Sequence, residues 1–572
     1  MDMKTIIGCS IGNCVHVAGV AHFLDIATDQ GFRTIFLGPA VSVDDILASI
    51  EKEKPAMVCL GYRLTPENVL PIVAELATKS KALQTPPVWV FGGTRPVAES
   101  VATTGFFNKI FNGTEDIDDC IAFLRNTSAN VKGENYAQTL VERIKQKSPY
   151  PLLRHHFGLP SFKDSVAGIE EIAKAKVLDV ISLGIDQNTQ QYFFKQKKRN
   201  PEMDGAGGVP VKTLEEFEIL KAASKHGNFP LMRCYSGTDD IIPFAKVLKD
   251  TIDNAWTAVP LFWYNELDGR GARALETSIA EAQALVAWHV ERGIPVELNE
   301  PHHWGLRDAH DTISVVMAYI SAYNAKKLGV ESYIAQFMFN IPNALSFSMD
   351  LAKVLAQIEM AESLKDDSFN LYRQVRTGLP FLSGDLQAAK GQLAASTMLQ
   401  MAVAPHIIHV VGYSEAEHAA TPDVVIESTK IVRGVIRSVL TDGADMTQDI
   451  KVQTRKQELI AEATYLLNYI IQKYSGVSAD PLTDPAVLAD CVRRGILDAP
   501  HILKNNKFKG ILQTRIINGK CLAYNPKTKH SVNEEERLNM LKEAGNFDEE
   551  NCCDKHGERR TINGGILHNK GV

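Results

Sequence analysis

The first 130 residues alternate between short apolar runs and amphipathic stretches. Continuous apolar segments such as Thr5–Cys9 and Ala56–Leu60 predict strands that are covered on both faces, as in a parallel sheet. The stretches Val17–Gln30 and Thr65–Ala82 have helical spacing, and Thr65-Pro66 is a typical helix start. This alternation predicts a doubly wound, Rossmann-like parallel sheet, in which ligands bind at the carboxyl ends of the strands.

Several residues directly follow the predicted strands of this first region. The same pattern predicts two more strands and a last helix, at Arg33–Leu37, Pro87–Phe91 and Asp116–Asn126. His16, Gly61 and the pair Gly92-Gly93 each come just after a strand. Because the carboxyl ends of parallel strands share one edge of the sheet, we expect these residues to lie at one ligand site.

A second series of strands and helices begins near residue 151, after a polar linker at 131–150. Eight strands separated by helices predict a (β/α)8 TIM barrel over 151–440. The predicted strands are Leu152–Phe157, Val177–Ile185, Pro230–Tyr235, Val259–Asn265, Ile294–Glu300, Ser332–Phe339, Leu379–Leu382 and Ile407–Gly412. Residues 441–572 are predicted to be mainly helical, with a small β element at Gly510–Tyr524. The chain is therefore expected to be an α/β protein with domains at 1–130, 151–440 and 441–572.

Length, net charge and cysteine content exclude several classes of protein and of partner. A chain of 572 residues is too long for a single core. The net charge of −7 argues against a nucleic-acid partner, and no apolar run is long enough to span a bilayer. With nine scattered cysteines and no signal peptide, we expect reduced thiols and a cytoplasmic protein without a membrane partner.

Polar side chains follow most of the predicted barrel strands, and such positions face one mouth of a barrel. The densest group is the hexapeptide from Asn299 to Trp304, which contains Glu300, His302 and His303. We expect this group to line a site, although each residue alone could equally be a solvated loop residue or an ion-pair partner. Other candidates at the mouth are Arg154, His155, His156, Asp186, Gln190, Tyr235, Thr238, Glu266, Asp268, Arg270, Arg307, Asn340 and Glu415.

Two sets of motifs resemble one known enzyme family. The hexapeptide Cys14–Gly19, with its central histidine, has the register of an Asp-x-His-x-x-Gly motif, and Gly92-Gly93 matches a later Gly-Gly. With these motifs the first 125 or so residues resemble the small cobalamin-binding subunit of glutamate mutase (methylaspartate mutase). From about residue 150 to 540 the chain looks like the barrel subunit of that enzyme. The matching stretches are Ser236-Gly237-Thr238, Tyr264-Asn265-Glu266, Asn299-Glu300-Pro301 and Gly495–Leu541.

The resemblance implies a cobalamin-dependent isomerase that rearranges the carbon skeleton of a small substrate. His16 would ligate cobalt, the cofactor would be adenosylcobalamin, and its adenosyl radical would abstract hydrogen from the substrate. The family also implies a homodimer. The residues implied in cofactor binding are Cys14, His16, Gly19, Gly61, Tyr62, Arg63, Gly92 and Gly93. The residues expected to shape the substrate pocket and act in catalysis are Arg154, Tyr235, Glu266, Glu300, His302 and His303.

The first region departs from the family pattern at three positions. The motif aspartate, which would orient the histidine, is Cys14, and a thiol fills that role poorly. The Ser-x-Leu that follows the third strand in the family is replaced by Gly61 and Arg63, with the bulky Tyr62 between them. Tyr62 could partly occupy the slot for the cofactor tail. An alternative is therefore that the scaffold binds haem or another metallotetrapyrrole through His16.

The barrel region departs from the family as well. The family holds a dicarboxylate with three arginines, of which Arg154 matches the first, whereas Gln190 and Tyr235 stand near the other two positions. Glutamate is therefore an unexpected substrate, because most of the bidentate carboxylate contacts are lost. Glu266 matches the glutamate that holds the substrate amine. A further alternative is a non-catalytic corrinoid-binding or sensory protein.

Overall fold

The structure is a computed structural model, and it consists of two compact units, residues 1–135 and 136–572. It describes residues 4–113, 115, 120, 121, 123, 124, 136–235, 237–505, 507, 508 and 510–545. Ser236, most of the predicted helix Asp116–Asn126 and the end of the C-terminal tail lie outside the described residues. None of the described helices combines the length and the apolar composition that crossing a membrane requires.

The N-terminal unit contains the predicted doubly wound sheet. Five parallel strands lie in the order β2-β1-β3-β4-β5. Their bounds are Thr5–Ile11, Arg33–Val41, Met57–Tyr62, Val88–Gly93 and Lys109–Phe111 for β1 to β5. Helices α1 to α4 span Ala18–Asp29, Val43–Glu53, Pro66–Lys79 and Arg95–Ala102. The order reverses beside β1, so loops after β1 and β3 meet at the strand ends where doubly wound sheets bind ligands.

Alternate residues of these strands belong to different hydrophobic clusters on the two faces of the sheet. Cys59 packs with Val20 and Phe23 of α1 on one face. Leu60 and Tyr62 belong to the cluster on the other face. Because side chains alternate along a strand, Gly61 lies on the same face as Cys59, toward α1.

The second unit contains the predicted barrel. Eight strands pair in the order β8-β7-β6-β13-β12-β11-β10-β9, and every registered pair is parallel. The two terminal strands are adjacent, because the Ala255 N–H donates to the Met232 carbonyl over 2.9 Å. The sheet is thus a nearly closed barrel. Strands β6 to β13 span Leu152–Phe157, Val180–Leu183, Leu231–Cys234, Thr257–Val259, Val296–Leu298, Ser332–Phe339, Asn370–Thr377 and Ile407–His409.

One predicted barrel strand was misplaced, and five others differ in their bounds from those observed. The prediction of a strand at Leu379–Leu382 was wrong, because the seventh strand is Asn370–Thr377 and Leu379–Phe381 is a 3-10 turn. The true strand alternates polar and apolar residues and therefore lacks a continuous apolar run. The fourth strand is Thr257–Val259 and shares only Val259 with the predicted Val259–Asn265. The fifth ends at Leu298, so that Glu300 begins a helix.

Helices alternate with the barrel strands and continue into the C-terminal region. Helices α5 to α18 span Leu140–Lys147, Phe162–Lys174, Gln187–Tyr192, Leu214–Ala223, Ile241–Ile252, Leu275–Val290, Glu300–Gly305, Asp311–Lys327, Phe347–Glu362, Leu386–Met401, Pro422–Asp442, Ile450–Tyr474, Pro485–Arg493 and Glu534–Glu543. A small antiparallel sheet consists of Gln513–Ile517, Lys520–Asn525 and His530–Ser531 (β14 to β16). The C-terminal helices share the hydrophobic core of the barrel, through residues such as Leu459, Leu488 and Leu538.

Buried hydrogen bonds also fix the C-terminal region to the barrel. The Asp311 carboxylate accepts from the Arg455 guanidinium at 3.2 Å and from the Cys521 N–H at 3.1 Å. Glu534 of α18 contacts the imidazole of His310 and the guanidinium of Arg537. The helical tail is thus part of the same folded body as the barrel.

Candidate functional site

The loop after β1 presents the imidazole of His16 at the carboxyl edge of the sheet. The Ser10 hydroxyl donates to the His16 carbonyl over 2.6 Å, which ties the loop back to the strand. Cys14 is fully buried, and its sulfur accepts from the Arg63 N–H at 3.3 Å and lies 3.8 Å from His16 Nδ1. His16 itself is exposed, and no described residue hydrogen-bonds its Nε2. The second ring nitrogen is therefore available to a ligand.

A cleft of about 540 Å³ opens beside this loop, on the α1 face of the sheet. Its floor is formed by three small residues of β3 and β4, Cys59, Gly61 and Gly92. Gly61 and Gly92 lie side by side, because they are partners in the pairing of the two strands. A Cβ added at Gly92 would meet no atom within 4 Å. Phe23 and Phe111 contribute apolar walls. The floor of the cleft thus has no large side chains, which leaves room for a flat or elongated ligand.

The side chain of Val20 fills the space beside the glycine at position 61. A Cβ built on Gly61 would lie 2.5 Å from Cγ2 of Val20, a contact too short for real side chains. The valine methyl group thus occupies the space into which a serine at this position would project. Close packing of α1 against β3 therefore requires glycine here.

Tyr62 does not occupy the cleft with its ring. The ring is 1% exposed and packs in the cluster on the other face of the sheet, and its hydroxyl donates to Asn13 Oδ1 over 2.9 Å. The suggestion that this side chain partly fills a cofactor slot was therefore wrong, since strand alternation directs it away from α1. Burial raises the pKa of the Tyr62 phenol.

The structure brings nearly all predicted cofactor-binding residues to this cleft. Lining positions include His16, Gly19, Gly61, Tyr62, Arg63, Gly92 and Gly93. Cys14 is buried beneath the loop, and its sulfur contacts the imidazole of the lining residue His16. The apolar walls, Phe23 and Phe111, were not among the predicted site residues, although the helical spacing of Val20 and Phe23 indicates a face of α1 that packs on the sheet.

The barrel interior of the second unit is unusually polar. One inward-facing layer is apolar and includes Leu152, Val180, Leu231, Trp256 and Ile334. Two residues further along each strand, the same face carries polar groups. These groups are Arg154, Ser182, Arg233, Gln336, Gln374 and His409.

Buried charges in this polar layer have few partners. Arg154 donates to Ser182 Oγ and contacts His409 Nδ1, each at 2.7 Å. The Glu297 carboxylate accepts from the Arg233 guanidinium at 3.2 Å and from the Trp256 indole N–H at 2.7 Å. Nε of Arg154, Nε and Nη1 of Arg233, and Oε1 of Glu297 have no hydrogen-bond partner. Because unpaired buried charges are costly, this layer is better suited to binding than to stability.

The mouth of the barrel carries imidazole and phenol groups. The rings of His156 and Tyr235 stack with centroids 5.7 Å apart, and His156 lies 4.9 Å from His409. His302 and His303 are buried, with His302 Nδ1 3.2 Å from the Met338 sulfur. Burial lowers the pKa values of all four histidines well below the usual range, and nearby arginines lower them further. These rings are therefore neutral at pH 7.

Glu300 and Glu266 have positions that differ from the open site predicted for them. The fully buried Glu300 carboxylate accepts from the Leu261 and Phe262 N–H groups at 2.5 and 3.2 Å and from the Trp304 indole at 2.9 Å. Glu266 pairs with Lys507 Nζ at 2.8 Å and accepts from the Leu275 N–H, outside the polar layer. Both carboxylates hold loops in place, whereas Arg154, Tyr235, His302 and His303 are grouped toward the interior.

Burial raises the pKa of Glu300 to about 7, from a reference value of 4.5. Because the folded pKa lies above the unfolded one, the fold favours the protonated acid, and stability falls as pH rises toward 7. A shift of this size predicts that wild type loses about 2–3 kcal/mol of unfolding free energy between pH 5 and 8 relative to Glu300→Gln. Urea unfolding followed by tryptophan fluorescence measures the difference. The exposed control Glu276→Gln should follow wild type, and an identical pH profile for Glu300→Gln would contradict this prediction.

Comparison with known proteins identifies the first region by family. The family model described as "B12 binding domain" matches residues 4–110. No curated protein matches the sequence. Since the matched residues include β1 to β4, α1 and the His16 loop, the match covers most of the lining of the cleft.

Solved structures similar to parts of this chain have low identity. A cobalamin-binding protein from Desulfitobacterium hafniense DCB-2 is 21% identical over 22% of this chain and 60% of its own, with a TM-score of 0.20. A truncated 3-deoxy-D-arabino-heptulosonate 7-phosphate synthase from Thermotoga maritima is 14% identical over 52% and 89%, with a TM-score of 0.31. The cobalamin-dependent S-adenosylmethionine radical enzyme OxsB is 11% identical over 95% and 80%, with a TM-score of 0.17. Similarity at these levels carries no information about activity. The family match, in contrast, supports cobalamin binding, and the N-terminal unit of this chain contains a B12-binding domain.

Proposed function

We propose that this protein is a cobalamin-dependent enzyme that rearranges the carbon skeleton of a small substrate other than glutamate. The observation that carries the proposal is the exposed imidazole of His16 beside a cleft whose floor consists of small residues. Both lie within the region that matches a B12-binding domain. The barrel of the second unit supports a second ligand, as an enzyme with a substrate needs, because its buried polar layer leaves charged groups without partners.

The residues of the cleft fit cobalamin. Nε2 of His16 would ligate cobalt, while the Cys14 sulfur lies near Nδ1 and restricts the orientation of the ring. The space over Gly92 would receive the cofactor tail between the apolar walls. Bound adenosylcobalamin would supply a weak cobalt–carbon bond and hence radical chemistry. The thiol of Cys14 is buried and already accepts the Arg63 N–H, which disfavours it as an open ligand for haem.

The barrel residues would hold and orient the substrate and exclude water from it. Tyr235 and His156 form one stacked side of the mouth, and neutral imidazoles can donate or accept hydrogen bonds there. Gln190 is not placed to replace a lost arginine, because its amide donates to the Ile185 carbonyl at 2.9 Å. This contact supports a substrate other than glutamate. The isomerase class and the homodimer implied by the resemblance stay predictions.

The spectrum of bound cobalamin tests the role of His16. We expect wild type to bind cobalamin with a spectrum of histidine-ligated cobalt, and His16→Ala to lose that signature and to bind at least tenfold more weakly. Ultraviolet–visible titration with hydroxocobalamin, read with elemental analysis for cobalt and iron, gives both results. The matched variant His530→Ala replaces another exposed histidine and should behave as wild type. A wild-type spectrum for His16→Ala would refute the assignment, and iron with a Soret band would favour the haem alternative.

A further inference from the structure

We propose that the mouth of the barrel binds a small organic anion through Arg376. This arginine lies on β12, on the inward-facing side shared with Gln374, whose amide donates to Gln336 on the adjacent strand β11. Its guanidinium is part-buried, its Nε is fully buried without a partner, and no described residue forms an ion pair or hydrogen bond with it. A partly buried cation without an acceptor is costly unless a ligand supplies one.

The carboxylates around Arg376 already have other partners. Glu297 accepts from Arg233 and from Trp256. Asp268 pairs with Arg307 at 2.8 Å, and Glu415 pairs with His155 at 3.0 Å. Arg154, a second cation of the barrel interior, hydrogen-bonds Ser182 and His409 and lies over the Trp256 ring, and all three of these described groups are neutral. Three arginines of the described interior, Arg154, Arg233 and Arg376, thus stand against two carboxylates, Glu297 and Glu415, so positive charge is in excess.

Glu415 offsets part of the charge of Arg376, since a hydrogen bond from His155 and the guanidinium lower the pKa of this carboxyl, but the imidazoles that face Arg376 do not. His156, His302, His303 and His409 are neutral imidazoles, since burial and the arginines lower their pKa values. A neutral imidazole can donate an N–H to an anion without adding charge of its own. A guanidinium with free N–H groups and neutral donors around it matches a carboxylate or phosphate group.

This inference deepens the proposed function and rests on it in one respect, because it takes the barrel as the substrate site. The arginine positions of the family motif did not indicate Arg376, which belongs to the strand that the sequence pattern misplaced. The ligand class that follows is a small molecule with one accessible oxyanion. Carboxylate and phosphate share this chemistry and are separated by the choice of probe.

Anion-dependent thermal stability tests the proposal on the full chain. Butyrate and inorganic phosphate serve as probes, with butyramide as the uncharged analogue and sodium chloride keeping the ionic strength constant. At about fifty times the Kd, we expect butyrate or phosphate to raise the Tm of wild type by about 3 °C, and butyramide to have no effect. Arg376→Met should lose this rise and should have a higher Tm than wild type without anion, because an unpaired cation is removed. Arg493→Met, which removes a half-exposed arginine of α17, should keep the rise.

The outcomes decide between clear alternatives. A rise with butyrate indicates a carboxylate ligand, and a rise with phosphate alone indicates a phosphorylated one. No rise with either anion, an equal rise with butyramide, or an unchanged rise in Arg376→Met would overturn the proposal. If Arg376→Met does not fold, calorimetric titration of Arg376→Gln with the same probes gives the same comparison. Failure here leaves cobalamin binding by His16 untouched, since that is measured spectroscopically on the other unit.

Discussion

Gly92→Leu is expected to abolish cobalamin binding while leaving the fold intact. A side chain at this position would extend into the cleft from its floor, where no protein atom lies within 4 Å of the added Cβ. The substitution therefore excludes the ligand without overpacking the protein. We expect at least a hundredfold weaker binding of hydroxocobalamin, measured by spectroscopic titration, and a Tm within about 2 °C of wild type.

The control for this variant is Gly391→Leu. Gly391 lies in α14 of the second unit, where an added Cβ also meets nothing within 4 Å. This variant should bind cobalamin as wild type does. Undiminished binding by Gly92→Leu would show that the cofactor lies elsewhere, whereas a large fall in Tm would show that the space over Gly92 is needed for folding.

Replacing Glu297 by alanine should cause the largest loss of stability in the barrel. Its carboxylate is fully buried and is the acceptor for both the Arg233 guanidinium and the Trp256 indole. Removal leaves a buried cation without a counter-charge, and such losses cost about 3–5 kcal/mol. Urea unfolding at pH 7, followed by the fluorescence of the buried tryptophans, measures the change.

Two further variants show whether the buried charge is the cause. Glu276→Ala breaks a half-exposed pair with Arg493 and should cost at most about 1 kcal/mol. The double variant Glu297→Met with Arg233→Met removes both charges and should recover most of the lost stability. If the double variant is as unstable as Glu297→Ala, packing rather than charge would explain the loss.

Much of the fold was predictable because buried parallel strands are continuous apolar runs. Met57–Tyr62 and Ser332–Phe339 are of this kind, and their positions were predicted closely. Asn370–Thr377 was missed because its inward face carries Gln374 and Arg376, which interrupt the apolar pattern. A barrel strand with polar residues on its interior face is therefore harder to recognise from the sequence than a strand that is apolar throughout.

Only those residues of the candidate site that directly follow a strand could be predicted. The glycines and His16 follow strands, so the topology alone brought them to one edge of the sheet. The roles of Glu300 and Glu266 could not be read in this way, because a glutamate that accepts backbone N–H groups and one that faces a pocket look alike in sequence. Arg233 and Arg376 were missed for a related reason, since they lie within strands rather than in the loops that follow them.

The contact between Gly61 and Val20 limits how this protein can change. A serine introduced on the strand alone would collide with the helix, so the hydroxyl can be regained only together with a smaller residue at position 20. The packing of α1 against β3 therefore determines which side chains the floor of the cleft can carry, and a hydroxyl there requires changes on the strand and on the helix together.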